Sequence, residues 1–269
     1  MSLLPLIAAS LAVAQGQAVR LEIPHEPGLA AAHVTWGDTS IPFVRRGDEW
    51  HAAIGVDLDT PTGEHSAPIA LRFADGREAA RTEVLVVEQV DFPTTRLTVE
   101  PRYVELSRED QARADRESRE TAAIYATLTP EPMWEEPFAV PVPGTTGGRN
   151  FGHRRVFNGE ARAPHSGADL RAATGTPIHA SNRGRVVLAK DLFFSGNAVF
   201  LDHGLGLYTV YLHLSEIDVA PGDVVERGQV IGLAGATGRV TGPHLHWGAR
   251  ILDARVDPVS LLELAPEEE

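Results

Sequence analysis

Cysteine is absent from the 269 residues of this chain. That absence excludes a disulfide framework, a thiolate nucleophile, and zinc or iron–sulfur sites with cysteine ligands. Any metal ion must therefore be bound by histidine and carboxylate side chains. Basic residues are also few, since 24 lysines and arginines face 37 acidic residues and the formal net charge is −13. General nucleic-acid-binding proteins carry a basic surplus, so we expect no nucleic-acid partner.

Long apolar runs are limited to one short segment near the N-terminus. Residues 3–14 carry no charge and end in the small-x-small pattern of residues 12–14. A membrane helix needs roughly 20 apolar residues, so we expect no stable membrane span. The segment is typical of a secretory signal peptide, and we predict that residues 1–14 are one and that the protein is exported. No basic residue precedes the run, and a buried strand is the alternative interpretation.

Residues 15–100 contain short segments in which apolar and polar residues alternate. Two examples are residues 19–23 and 69–73, and turn signals rich in glycine, proline and aspartate separate such segments. This pattern predicts a small β-sandwich-like domain. The histidines of this region are scattered, so we expect no site among them.

Residues 101–148 are predicted to connect two domains. A capping-box-like pair, Ser107 and Asp110, predicts a helix that runs to about Leu128, and acid-before-base pairs four residues apart support it. The first half of this helix has few apolar residues, which indicates that it is solvated. Prolines and glycines are concentrated in residues 130–148, and they predict an extended linker.

Residues 149–264 show a different pattern, with apolar β segments between glycine-rich turns. No helical periodicity is present before residues 258–264, so we predict an antiparallel all-β domain. This domain holds seven of the eleven histidines of the chain. The chain as a whole is therefore predicted to be mainly all-β, with one connecting helix.

Five residues of this domain have the spacing and chemistry of a metal site. His165 and Asp169 are four residues apart, whereas His244 and His246 are two apart and so lie on one face of a predicted strand. His213 lies near the end of another apolar strand. Without cysteine, a catalytic zinc ion takes three imidazole or carboxylate ligands and keeps one position open. The remaining imidazoles suit acid–base chemistry, because the histidine pKa lies near neutrality.

The motifs of this domain resemble those of the lysostaphin/LytM-type zinc metallopeptidases, which cut peptide bonds in bacterial peptidoglycan. The resemblance spans residues 151–262, where both the order and the spacing of the motifs agree, and nothing comparable covers the first 140 residues. The matching segments are RAPHSGAD at 162–169, GTPIHA at 175–180, GRV at 184–186, HGLG at 203–206, YLHL at 211–214, GDVVERG at 222–228, and residues 238–246.

The resemblance implies that His165, Asp169 and His246 bind Zn²⁺. It further implies that His213 and His244 are the catalytic pair, one as proton acceptor and donor and the other as stabiliser of the oxyanion. Which histidine takes which role stays open at the level of sequence. All five positions are filled, unlike those of degenerate relatives that have lost ligands and activate other hydrolases.

The resemblance also bears on three residues outside this set. His179 and His203 match the family pattern at structural positions. Asn150 precedes the domain, where some relatives carry a residue that fills the open position of the zinc ion in a latent form. We therefore expect either a catalytic role or latency for the intact site.

Two functions follow as hypotheses. The first is a secreted zinc metalloendopeptidase that hydrolyses the peptide cross-links of peptidoglycan, with stem peptides as substrate, in the periplasm or outside the cell. The alternative is a catalytically silent, zinc-containing, wall-binding regulator of other cell-wall hydrolases that is kept shut by intramolecular inhibition from its N-terminal region. The N-terminal domain is open to a targeting or docking role under either hypothesis.

Overall fold

The computed structural model describes residues 10–98, 106–134, 136–145 and 148–264. Two β-rich units are joined by one α-helix and an irregular segment. The mainly all-β fold class predicted from the sequence is confirmed.

Two facing sheets form the N-terminal unit. One sheet has the strand order β1-β8-β7-β3-β4 and the other has the order β2-β6-β5. Both sheets contribute to one apolar core, in which Val34, Ile54 and Leu85 are fully buried. Along β7 every second residue from Ala67 to Phe73 is buried, because alternate side chains of a strand point to opposite faces. The strands are β1 (Ser10–Ala14), β2 (Ala18–Pro24), β3 (Leu29–Trp36), β4 (Thr39–Pro42), β5 (Val44–Arg46), β6 (Glu49–Gly55), β7 (Gly63–Phe73) and β8 (Glu78–Glu88).

The apolar N-terminal run contributes a strand to this unit. Residues Ser10–Ala14 form β1, which pairs in parallel with β8, and Val13 is buried in the core. A buried strand was the alternative to a signal peptide, and in β1 Val13 is buried whereas Leu11 is exposed. Residues 1–9 lie outside the described part of the chain, so cleavage after residue 14 stays a prediction. Among the described residues, no helix is long and apolar enough to cross a membrane.

The connecting helix is present as predicted. Helix α1 (Arg108–Tyr125) follows the cap residue Ser107, whose hydroxyl accepts a hydrogen bond of 3.0 Å from the Asp110 amide. Ala114 is the buried residue of this helix, which agrees with a largely solvated first half. At the other end Tyr125 stacks on Phe200, with 5.7 Å between ring centroids, and so holds the helix to the C-terminal unit.

The segment after the helix, where we predicted an extended linker, is irregular and packs against the C-terminal unit. Trp134, Phe138 and Val142 are buried against the C-terminal unit. The amide of Ala139 donates to the Ser181 carbonyl at 2.8 Å. This segment is therefore part of the packed C-terminal unit, because its apolar side chains complete the core there.

A nine-stranded sheet forms the C-terminal unit, and each pairing within it is antiparallel, as predicted. Its main path has the order β12-β19-β16-β15-β14-β17. A 3₁₀ helix (Pro258–Glu263) lies where the sequence first shows helical periodicity. The strands of this sheet are β12 (Gly167–Leu170), β13 (Pro177–His179), β14 (Gly184–Leu192), β15 (Gly196–Asp202), β16 (Leu207–Ile217), β17 (Val224–Val225), β18 (Val230–Ala234), β19 (Leu245–Ile251) and β20 (Ala254–Val256).

A small separate sheet stands beside this unit. It contains β9 (Thr94–Leu97), β10 (Arg154–Phe157) and β11 (Glu160–Ala161). Strand β9 pairs in parallel with β10, and β10 forms an antiparallel hairpin with β11. The segment that follows the N-terminal unit thus pairs with the segment that precedes the C-terminal sheet.

The two units are joined by an apolar contact and by a half-buried ion pair. Ala18 and Ala53 pack with Ile251 and other apolar residues at the far end of β19. Arg255 forms a bidentate pair with Asp57, with nitrogen–oxygen distances of 2.6 and 2.9 Å. Burial by itself would raise the pKa of Asp57, but its hydrogen bonds to Arg255 outweigh burial and lower it. The N-terminal unit is therefore fixed to one end of the C-terminal sheet.

Candidate metal centre and cleft

Two neighbouring strands bring the three predicted metal ligands together. Strands β12 and β19 are antiparallel, and their register places Asp169 directly opposite His246. His165 lies just before β12. Its Nε2 atom is 3.1 Å from Asp169 Oδ1 and 3.0 Å from His246 Nδ1, and the last two atoms are 3.1 Å apart. Three ligand atoms therefore converge on one point.

Glycine at position 167 permits this close approach of the strands. A Cβ atom there would lie 2.4 Å from the Trp247 carbonyl oxygen and 2.6 Å from Nε2 of His246. Real Cβ atoms do not approach other atoms so closely. The glycine between His165 and Asp169 in the sequence motif is thus explained by the packing of the His246 ring.

Asn150 lies next to the centre and forms hydrogen bonds with two of its three residues, His165 and Asp169. Its carbonyl oxygen lies 2.9 Å from His165 Nδ1, and a carbonyl only accepts, so the ring carries its hydrogen on Nδ1. The Nε2 lone pair of His165 then faces the centre. The Asn150 side chain donates to Asp169 Oδ2 at 2.8 Å and accepts from the Asp169 amide at 3.0 Å. Such contacts are suited to orient the predicted ligands. That Asn150 fills an open metal position stays a prediction.

The charge at the centre favours a cation. Burial by itself would raise the pKa of Asp169, but the imidazoles of His165 and His246 outweigh burial and hold it well below its usual range. Burial lowers the pKa of His246, which favours the neutral ring. An ionised carboxylate and neutral imidazoles are the protonation states that bind a metal. Two nitrogen donors and one oxygen donor fit the ligand set of a zinc site.

A second cluster of metal-binding side chains, Glu22, Glu49 and His51, lies on the N-terminal unit. The Nε atom of Arg20 is 2.6 Å from Glu22 Oε1, so one of its carboxylates is already paired with a cation. This cluster is therefore a less suitable cation site than the centre at Asp169.

His213 and His244 lie beside the centre, as the sequence predicted for the catalytic pair. Their ring centroids are 5.0 Å apart, and His244 Nε2 is 3.6 Å from Asp169 Oδ1. His213 Nδ1 faces the Thr237 carbonyl at 3.0 Å, and His244 Nδ1 faces the Gly242 carbonyl at 2.9 Å. Both rings therefore carry hydrogen on Nδ1 and keep Nε2 as an acceptor. Burial lowers the pKa of His213 to about 4.

An irregularity in β16 gives His213 its position. Tyr211 and Leu214 both enter the same core although they are three residues apart, which strict strand alternation does not allow. His213 between them has a positive φ of 67°, and the pairing register with β15 shifts at this point. The apolar periodicity of the sequence predicts the strand but does not reveal this left-handed residue.

The five residues open onto a cleft with two walls. Thr95 and Leu97 of β9, together with Arg155 and Phe157 of β10, line one wall. Phe194, Ser195 and residues 239–241 line the other wall. Sequence reasoning did not find the role of β9, because a four-residue strand far from the motifs carries no detectable signal.

The two other histidines of the family pattern form hydrogen bonds within the C-terminal unit. His203 is fully buried, with Nδ1 2.8 Å from the Arg183 carbonyl and Nε2 2.7 Å from the Thr209 hydroxyl. His179 Nδ1 lies 2.8 Å from the Gly228 carbonyl. These contacts agree with structural positions for both residues.

Comparison with known proteins identifies the family of this chain. The profile of peptidase family M23 matches residues 163–258. A crystal structure described as a peptidase M23 from Pseudomonas aeruginosa is 30% identical, with a TM-score of 0.65, and the alignment covers 93% of this chain and 95% of that chain. The chain belongs to peptidase family M23. The resemblance noted in the sequence is thus confirmed, as is the prediction of an enzyme of the metallopeptidase class.

Two further relatives show how far the M23 similarity extends. The peptidoglycan DD-endopeptidase ShyA of Vibrio cholerae is 50% identical over 99 residues, which are 36% of this chain and 23% of ShyA. The chain thus spans less than a quarter of that curated relative. The catalytic domain of lysostaphin from Staphylococcus simulans is 32% identical with a TM-score of 0.41, covering 45% of this chain and 95% of that domain.

Proposed function

We propose that this M23 protein is a zinc endopeptidase that hydrolyses the peptide cross-links of bacterial peptidoglycan. One observation carries the proposal: three ligand atoms lie within 3.1 Å of one another, beside two further imidazoles on the same cleft. The relative ShyA, named a peptidoglycan DD-endopeptidase, supports the substrate. The cell envelope, periplasmic or extracellular, is then the place of action.

His165, Asp169 and His246 would hold the zinc ion. A zinc ion bound there supplies Lewis-acid chemistry, which acidifies water and polarises a carbonyl group. Asp169 contributes the negative charge of the centre, and the hydrogen bond from His165 to the Asn150 carbonyl fixes which ring nitrogen faces inward.

His213 and His244 would move the protons of the reaction. Each ring is anchored through Nδ1 and presents Nε2 as an acceptor near the centre. A ring that accepts a proton from the attacking water can deliver it to the leaving amine, and a protonated ring can donate to the carbonyl oxygen as charge develops there. Both roles are open to either histidine in this geometry.

Digestion of purified peptidoglycan by the full chain tests this function. We expect cross-linked muropeptide dimers to be cut, with activity lost in chelator and restored by added zinc, as read by mass spectrometry of the products. His33→Ala, at an exposed position of the N-terminal unit, is the control for histidine substitution. Zinc binding and wall binding without any cleavage would contradict the peptidase and favour the regulator.

The regulator hypothesis assigns inhibition to the N-terminal region. Within the described residues, the N-terminal sandwich contacts the end of β19 away from His246, and only β9 of residues 10–98 borders the cleft. This placement supports a cleft wall built by β9 and favours the peptidase over the silent regulator.

A further inference from the structure

Three arginines line the continuation of the cleft toward the start of α1. Arg155 lies on β10, Arg162 lies three residues before His165, and Arg239 lies in the loop that leads to His244. All three line one cavity with Leu106 next to α1, and Arg155 and Arg239 also line the cleft of the metal centre. We call Arg155, Arg162 and Arg239 the basic groove.

The charge of the basic groove is opposite to that of the chain. The formal net charge is −13, yet of the described residues that line the two cavities only Asp169 is acidic, and it belongs to the metal centre. Such a concentration of positive charge beside a reactive centre attracts an anionic ligand.

Arg155 and Arg239 have no acidic partner within the described part of the chain. The contrast with Arg154 is direct, because that neighbour pairs with Asp59 at 2.7 Å. Other arginines also form ion pairs with carboxylates, as in Arg113–Asp191, Arg183–Glu226, Arg227–Glu136 and Arg255–Asp57. Both guanidinium groups are therefore exposed without a carboxylate partner among the described residues, and that of Arg239 lies 5.8 Å from the centroid of the Phe194 ring.

Arg162 adds a donor within the groove. Its Nη2 atom is 3.0 Å from Glu160 Oε2, but its Nε atom is buried and has no hydrogen-bond partner among the described residues. A buried donor without a partner costs free energy, and an oxygen of a bound ligand would satisfy it.

We propose that the basic groove is a carboxylate-binding subsite, which selects stem peptides with free carboxylates flanking the bond that is cut. Guanidinium groups bind carboxylates through two parallel hydrogen bonds. Leu97 and Phe194 are exposed on the two walls and offer apolar contact for the methyl groups of alanine. The inference rests on the proposed function, and it excludes an uncharged glycine bridge as the preferred substrate.

Two synthetic cross-linked peptides test the subsite. In both, the cross-link joins an alanine carbonyl to the side-chain amine of a diamino acid, and they are identical except that the free carboxylates are amidated in one of them. We expect kcat/KM of the wild type to be at least about 10-fold higher for the acidic peptide, since hydrogen bonds to charged groups are the strong ones. Arg155→Gln and Arg239→Gln should remove most of this preference by slowing cleavage of the acidic peptide alone. Arg72→Gln, at an exposed arginine of the N-terminal unit, is the matched control and should leave the preference unchanged.

Binding to the metal-free protein gives a second readout that does not depend on catalysis. We expect calorimetry to show affinity for the acidic peptide that falls by about 10-fold in either groove variant and with added salt. Equal cleavage and equal binding of the two peptides by the wild type would overturn the subsite. If the zinc-loaded wild type cuts neither peptide but the metal-free protein still prefers the acidic one, the proposed reaction fails and the subsite stands.

Discussion

At the scale of the residue, single backbone carbonyls orient three histidine rings at the candidate centre. The carbonyls of Asn150, Thr237 and Gly242 each face the Nδ1 atom of one histidine. Because a carbonyl only accepts, each contact leaves Nε2 without hydrogen in the neutral ring. The predicted ligand and proton-transfer atoms are therefore oriented by backbone carbonyls, which a side-chain motif does not record.

His244→Ala is expected to abolish turnover and leave zinc bound. The ring lies next to Asp169 but is not one of the three converging ligands, so its loss removes proton transfer or oxyanion stabilisation and costs roughly 10²- to 10⁴-fold. Turnover of peptidoglycan and zinc content per chain are the two measurements. Near-normal activity in this variant, with His33→Ala as control, would rule out the role.

Asn150→Ala is expected to weaken zinc binding. The substitution removes both side-chain contacts to Asp169, and loss of such outer contacts typically lowers metal affinity by about 10- to 100-fold. Competition with a chelator of known affinity measures the change. Gln89→Ala removes an exposed amide on the N-terminal unit and should not alter zinc affinity. Unchanged affinity in Asn150→Ala would show that Asn150 is not needed to orient the ligands.

At the scale of the element, the centre depends on how closely β12 and β19 approach each other. The register places Gly167 opposite Gly248 and Asp169 opposite His246. A glycine pair at this point leaves room for the His246 ring next to the paired strands. Helix α1 differs from this strand pair because it does not depend on distant segments. Its cap and its solvated face follow from local sequence alone.

Gly167→Ala is expected to displace the His246 ring and weaken zinc binding. The added methyl would meet the ring and a backbone carbonyl, and overpacking of this kind typically costs about 1–3 kcal/mol of stability. Gly242→Ala is a matched control, since a methyl there meets nothing within 4 Å and its φ is not in the left-handed region. Zinc affinity and urea unfolding are the measurements, and equal effects of the two substitutions would refute the packing argument.

At the scale of the whole molecule, Trp134 connects the two units. It is buried in the same apolar cluster as Ala18 and Ala53 of the N-terminal unit and Ile251 of β19. The guanidinium of Arg46 lies 4.7 Å above its ring and donates a hydrogen bond to its carbonyl. A cut through the irregular segment at residue 143 would remove this residue and part of the C-terminal core.

Trp134→Ala is expected to lower the free energy of unfolding by about 3–5 kcal/mol, because it leaves a large cavity where both units meet. Urea denaturation of the full chain measures the change. Leu11→Ala, at an exposed position, should change stability by less than about 0.5 kcal/mol. A loss below about 1 kcal/mol in Trp134→Ala would show that the interface collapses around the gap or contributes little.

The sequence by itself determined the all-β class and the capped helix, and it singled out the five residues that the structure brings together at the candidate metal centre and beside it. These features are local: Ser107 caps its own helix, and strand alternation predicts that His244 and His246, two residues apart, share one face. The tertiary structure alone decided that Asn150 contacts two of the predicted ligands, that His213 is left-handed, that β9 lines the cleft and that Arg155 and Arg239 line the same cavity. Each of these depends on contacts between segments far apart in the chain, and such contacts leave no period or spacing in the sequence.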